Sequence, residues 1–147
     1  MMKTAIIGSG VAALEAATQI KALKPDSEVV MYSREKVRPY RRPALSGMIA
    51  GPLNDAQFYL KPETFYHDRG IRLELDRTVT AIQPSEKLLT FADGTTAAFD
   101  KLLIATGSRC FLPPVPGIDG ENVLSLREFA DFEKISHRLD AASAKSR

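Results

Sequence analysis

Ile6-Ile7-Gly8-Ser9-Gly10-Val11-Ala12-Ala13-Leu14-Glu15 is a G-x-G-x-x-A turn. It stands between a short apolar run, Thr4-Ala5-Ile6-Ile7, and a run of helix formers. The first run reads as a buried parallel strand over Lys3 to Ile7, and the second as a helix over Val11 to Leu23. In such a turn Gly8 takes the tight bend off the strand, and Gly10 lets the backbone come close to a pyrophosphate. Ala13 is small enough for the helix to pack on the strand. The helix N-terminus then offers unpaired N–H groups and the positive end of its dipole to phosphates. The turn points to a dinucleotide without saying which one.

Working outward, Lys24-Pro25-Asp26 stops the helix and Glu28 to Tyr32 reads as a second strand, completing a right-handed β-α-β start. An acid that accepts ribose hydroxyls belongs about 20 residues past the glycines, at the end of that strand. Glu35 stands 22 residues after Ala13 and is the one acid within reach, as a ribose partner or as a solvated loop carboxylate. Arg34 beside it leaves a 2′-phosphate site open. The basic run Arg34, Lys36, Arg38, Arg41, Arg42 lies where ligands of open α/β sheets bind, and a planar guanidinium suits a diphosphate. Arg42, next to the rigid Pro43, is the strongest candidate within a run that could equally be a solvated surface.

Further along, Ala44 to Ala50 reads as a short helix, Pro62 to Arg69 as another closed by Gly70, and Ile71 to Leu75 as a third parallel strand. The pattern then changes. Thr78 to Ile82, Lys87 to Phe91 and Thr95 to Phe99 are short, β-rich and separated by Pro84-Ser85-Glu86 and Asp93-Gly94, which makes an antiparallel meander. Lys101 to Gly107 returns to the buried-strand type. Ser125 to Leu139 reads as an amphipathic helix, followed by a frayed polar tail over Ala141 to Arg147. The fold class is α/β: a Rossmann-like parallel sheet with helices on one face and a three-stranded meander on the other. A fourth βα unit, which a nicotinamide-only dehydrogenase would need, is replaced by the meander.

At 147 residues with 44% hydrophobic and 26% charged residues, the chain has the size and composition of a soluble domain with a real core. A net charge of +2 gives no footprint for nucleic acid or membrane. The single cysteine, Cys110, excludes a disulfide framework or redox pair and suits a reducing compartment, and the N-terminus carries no signal-peptide pattern. A cytoplasmic protein is expected. No metal-ligand spacing exists, His67 and His137 are isolated, and Cys110 reads as a structural thiol.

The glycine turn, the segment Glu35-Lys36-Val37-Arg38-Pro39-Tyr40-Arg41-Arg42-Pro43-Ala44-Leu45-Ser46, the meander and Leu103-Ile104-Ala105-Thr106-Gly107-Ser108-Arg109 follow in that order. In this the chain resembles the FAD-binding part of the pyridine nucleotide-disulfide oxidoreductase superfamily. It is most similar to the branch of rubredoxin and ferredoxin reductases and the large subunit of NADH-dependent nitrite reductase. That branch carries P-Y-x-R-P-x-L-S, matched at Pro39 to Ser46, and an A-T-G strand end, matched at Ala105 to Gly107. The resemblance implies that Gly8, Ser9, Gly10, Val11, Ala12 and Ala13 cradle the FAD pyrophosphate. It implies that Glu35, with Lys36 beside it, holds the adenosine ribose, and that Arg42 and Pro43 run along the pyrophosphate toward the flavin. Val79 would meet the adenine through its backbone, while Ala105, Thr106, Gly107 and Arg109 close the site. Many relatives have lysine where this chain has Gly47, and no redox cysteine stands near Arg41 to Ser46.

The resemblance divides the chain into an FAD-binding portion, residues 1–124, and a helix and tail, 125–147, leading toward an NADH-binding domain that the sequence does not contain. It implies an NADH-dependent oxidoreductase passing electrons through FAD to a redox protein or downstream redox domain, inactive as this chain alone and with no catalytic acid or base in this half. The alternative is a free-standing FAD or adenine-nucleotide module. Either reading leaves an open sheet edge at the strand ending at Thr106, which invites a homodimer or a partner chain.

Overall fold

The structure is a computed structural model and describes residues 1–145. Two compact units divide the chain, Met1–Tyr40 with Tyr59–Gly107, and Arg41–Phe58 with the segment from Ser108 onward.

In the first unit, β1 (Lys3–Ile7), β2 (Glu28–Tyr32), β3 (Ile71–Glu74) and β7 (Lys101–Ile104) form a parallel sheet in the order β3-β2-β1-β7. The meander β4 (Val79–Gln83), β5 (Leu88–Phe91) and β6 (Thr96–Ala98) is a separate antiparallel sheet. Side chains alternate across β1 and β2, so each strand feeds two cores. Ile6, Val29 and Met31 pack under Ala13, Leu14 and Ala17 of helix α1 (Val11–Leu23), with Tyr66 of the one-turn helix α4 (Thr64–Asp68). Ala5, Val30 and Tyr32 face the other way, onto Leu89, Phe91 and Phe99 of the meander segment. The fold class expected from the sequence is the one observed. Both faces are covered, which is why β1 and β2 read as continuous apolar runs.

The meander's second turn is pinned by Asp93, whose carboxylate accepts the Thr95 hydroxyl at 2.6 Å and its N–H at 3.0 Å, and pairs with Arg77. Gly94 beside it has φ +80°, a conformation that favours glycine. β7, apolar in composition like a buried strand, is the open sheet edge expected from the sequence. It pairs with β1 only, so it is a sheet edge, and Ile104 is 60% exposed.

In the second unit, α2 (Ala44–Ala50) and the short α3 (Asp55–Phe58) accompany α5 (Phe129–Lys145). Phe58 meets Phe129 with ring centroids 6.0 Å apart, and Phe129 meets Phe132 at 5.6 Å. The expected helix over Ser125 to Leu139 is shifted. Asp131 Oδ2 accepts the N–H groups of both Arg127 and Glu128 at 2.9 Å, half of a capping box that fixes the start past Ser125. Nor is Ala141 onward a frayed tail as far as Lys145, because its alanines carry the helix on; Ser146 and Arg147 lie outside the described residues.

Tyr66 is 6% exposed and its hydroxyl has no hydrogen-bond partner. Burial pushes that phenol up to about 12, against a smaller opposing pull from Arg38. A raised folded-state value means the stabilisation is whole below pH 10 and is lost as pH rises from about 10 to 12, by about 2–3 kcal/mol. Tyr66→Phe should be neutral or stabilising at pH 8, because it removes a buried unpaired hydroxyl, and should flatten that alkaline loss. Urea unfolding at pH 8, 10 and 11.5 on both proteins checks it; equal alkaline losses would count against it.

Candidate functional site

The C-terminal ends of β1, β2 and β7 converge on one edge of the parallel sheet, and the glycine turn leaves β1 there. Gly8 has φ +119°, and a Cβ on it would lie 2.2 Å from the Ala105 carbonyl oxygen. No side chain fits between these two backbones. Gly8 N–H donates to Tyr32 O at 2.9 Å and Ala105 N–H to Ile7 O at 2.8 Å, which locks the turn to both neighbouring strands.

Gly10 differs. Its φ is −74° and its ψ −177°, and a Cβ there would meet no protein atom within 4 Å. Gly8 is therefore glycine because the protein fills the space, whereas Gly10 borders space the protein leaves open. Gly10 is also the N-cap of α1, with no side-chain cap and no acid in the first turn. The first intrahelical donor bond runs from Leu14 N–H to Gly10 O at 3.0 Å, and the N–H groups of Val11, Ala12 and Ala13 precede it. Val11 and Ala12 are exposed and Ala13 is buried against the sheet. These are the features of an anion cradle: uncompensated donors, a positive dipole end and a backbone free of side-chain bulk.

The acid predicted at the end of β2 is held beside this turn. Ser9 and Ser33 hydroxyls are 2.8 Å apart, and Ser33 is 2% exposed. Ser33 Oγ accepts the Glu35 N–H at 3.2 Å, and Tyr40 donates its hydroxyl to Glu35 Oε2 at 2.7 Å. Lys36 is exposed and lies 4.0 Å from Asp76. Val79 opens the meander opposite Phe91, at a register shift toward Ala81. Ala105 is half-buried; Thr106 and Gly107 beyond it are exposed, and Gly107 has φ +74°.

In the second unit, Arg42 donates from Nη1 to the Arg127 carbonyl at 2.9 Å, and Pro43 precedes α2 as its N-cap. Arg127 donates from Nη2 to Ser108 Oγ at 2.8 Å, while its Nε is buried with no partner. Arg127 is a residue that sequence reading missed: nothing in Ser125-Leu126-Arg127 marks it, and only the buried, unpaired Nε reveals it. Arg109 is exposed, and so is Cys110, which lacks the burial expected of a structural thiol. Among the described residues no group of three or more His, Cys, Asp or Glu could hold a metal ion, and no helix is long and apolar enough to cross a membrane.

Known proteins resemble this chain in sequence and fold. The family described as pyridine nucleotide-disulphide oxidoreductase matches residues 2–145. The chain is 29% identical over 139 residues to a rubredoxin-NAD(+) reductase of Ectopseudomonas oleovorans, covering 94% of this chain and 36% of that protein. It is 34% identical over 138 residues to the ferredoxin reductase subunit of a 5,5′-dehydrodivanillate O-demethylase from Sphingobium, covering 93% and 34%. The crystal structure of NADH:rubredoxin oxidoreductase from Clostridium acetobutylicum superposes with a TM-score of 0.78 at 30% identity, over 92% of this chain and 35% of that one. The chain thus spans about a third of the length of these relatives.

The two glycines should separate under mutation. Gly8→Ala forces a backbone displacement and should cost about 2–4 kcal/mol in urea unfolding. Gly10→Ser places a preferred N-cap in open space and should leave stability unchanged or raise it by up to about 1 kcal/mol. Equal losses at both positions would contradict the assignment.

Proposed function

The chain belongs to the pyridine nucleotide-disulphide oxidoreductase family, and from that premise we propose that it is the FAD-binding part of an NADH-dependent oxidoreductase that delivers electrons to a redox protein or downstream redox centre. FAD is the cofactor of this family, and when bound it supplies hydride and electron transfer at its ring system. One observation carries the reading for this chain: Gly10 borders open space at an uncompensated helix N-terminus, next to a Glu35 already pinned at the end of β2.

The proposed roles are those the family resemblance implies, and the geometry of the glycine turn and of Glu35 supports them. The backbone from Gly8 through Ser9, Gly10, Val11, Ala12 and Ala13 cradles the pyrophosphate, and the N–H groups of the first turn donate to it. Glu35 accepts a ribose hydroxyl, with Lys36 beside it, and the Val79 backbone meets the adenine. Ala105, Thr106 and Gly107 line the end of β7. For the second unit the roles stand separately: Arg42 offers its guanidinium to a diphosphate, Pro43 fixes the chain that carries it, and Arg109 and the buried Nε of Arg127 are further donors. None of these residues is an acid or base for chemistry, so their work is binding and orientation.

The proposed division is an FAD-binding portion over residues 1–124 and a connecting segment over 125–147. The sequence holds one glycine turn, so the NADH site is assigned to no residue of this chain, and cytoplasmic placement is proposed with it. A second reading, a nucleotide-binding module completed by another chain or by a second copy, is favoured by the open edge of β7 and the exposed Ile104.

Titration of the purified chain with FAD, followed by quenching of flavin fluorescence, tests the main reading. FAD should bind weakly and be displaced by ADP, with little flavin absorbance near about 450 nm retained through gel filtration. NADH alone should not bleach the bound flavin. A chain that ignores both FAD and ADP would overturn the cradle, and NADH turnover by the chain alone would overturn the assignment of the NADH site.

A further inference from the structure

The strongest unassigned feature of the first unit is how the head and the backbone of Glu35 are fixed. The Tyr40 hydroxyl donates to Glu35 Oε2 at 2.7 Å, within the short range of a charge-assisted O–H···O⁻ bond. Tyr40 is 5% exposed, so its ring is held by packing. Its backbone is held as well. Tyr40 bridges Tyr59 across an antiparallel pair, Leu60 N–H donates to Pro39 O at 3.0 Å, and the Arg38 guanidinium lies 3.7 Å from the centroid of the Tyr59 ring. Pro39, with its fixed φ, is among the fully buried side chains. At the other end, the Glu35 N–H donates to Ser33 Oγ at 3.2 Å and its carbonyl accepts the Asp76 N–H at 3.2 Å.

A glutamate on a loop normally samples many rotamers and loses that freedom when a ligand orders it. Here the protein has ordered it in advance through a phenol hydroxyl that donates to the carboxylate. A carboxylate accepts at about four lone-pair positions, so one phenol donor does not by itself compete with a ribose hydroxyl for the group. We propose that Tyr40 is a positioning residue for the adenosine ribose: its buried phenol sets the Glu35 carboxylate in the orientation that accepts a ribose hydroxyl. This rests on the ribose role given to Glu35 above. Tyr40 touches no ligand itself, and its effect on affinity passes through Glu35 as pre-organisation.

Calorimetric titration of the 147-residue chain with ADP and with 2′,3′-dideoxy-ADP separates this from a packing role. The native chain should prefer ADP by roughly tenfold, the cost of leaving a polar acceptor without its hydroxyl partner. In Tyr40→Phe that preference should fall to roughly threefold or less, while the affinity for dideoxy-ADP stays native and certifies the fold. Glu35→Gln should remove most of the preference, and adding Tyr40→Phe to it should change nothing further. Tyr40→Phe that keeps the full preference, weakens both ligands alike, or adds its own loss on top of Glu35→Gln overturns the proposal. A native chain without the preference, or a Glu35→Gln variant that retains it, shows instead that the ribose role of Glu35 is wrong and takes the proposal down with it.

Discussion

Two backbones meet at Gly8 and Ala105 with no room for a side chain, since a Cβ on Gly8 would sit 2.2 Å from the Ala105 oxygen. Much of the first unit's site depends on that approach. β1 can turn straight into α1 only if the chain leaves the strand at positive φ, and β7 can stay in register with β1 only if nothing projects between them. The bond from Gly8 N–H to Tyr32 O ties the same turn to β2. Three strand ends are thereby gathered at one edge, and the residues that follow each of them, Ser9 to Ala13, Ser33 to Glu35 and Thr106 to Gly107, start from fixed points.

From this constraint the electrostatics follow. A helix that begins immediately after a strand carries its first N–H groups unpaired to the sheet's C-terminal edge, where the two packed faces of the sheet do not cover them. The protein places no acid in that first turn and no side chain on Gly10. Instead it places hydroxyls: Ser9 bonds Ser33, Ser33 bonds the Glu35 backbone, and Tyr40 bonds the Glu35 head. The glycine turn and the Glu35 carboxylate are thereby held in one continuous set of hydrogen bonds. Under the proposed roles, that combination would favour an adenosine diphosphate moiety over a bare anion.

Much of this was legible in the chain and some was not, for identifiable reasons. β1, α1 and β2 match their expected bounds, because a strand covered on both faces and an alanine-striped helix leave strong periodic patterns. The meander was legible from its turns, with ends shifted by a residue or so. The start of α5, four residues past the expected one, was not, since Asp131 caps it from inside the helix through bonds no sequence pattern marks. The open edge at β7 was expected, although its apolar composition is equally that of a central strand, and the pairing order shows it. Among the proposed site residues, the glycines and Glu35 are marked by spacing, whereas Ser33, Tyr40 and Arg127 are marked only by what their side chains touch or leave unpaired. Side-chain bonds between residues distant in sequence have no period, so no pattern announces them.

Backbone amide NMR of the chain titrated with ADP tests the central claim most directly. If the glycine turn is the pyrophosphate cradle, the amides of Ser9, Gly10, Val11, Ala12 and Ala13 should move first and furthest, joined by Glu35. Perturbations that leave those amides in place while shifting others, or none at all at saturating ADP, would contradict it.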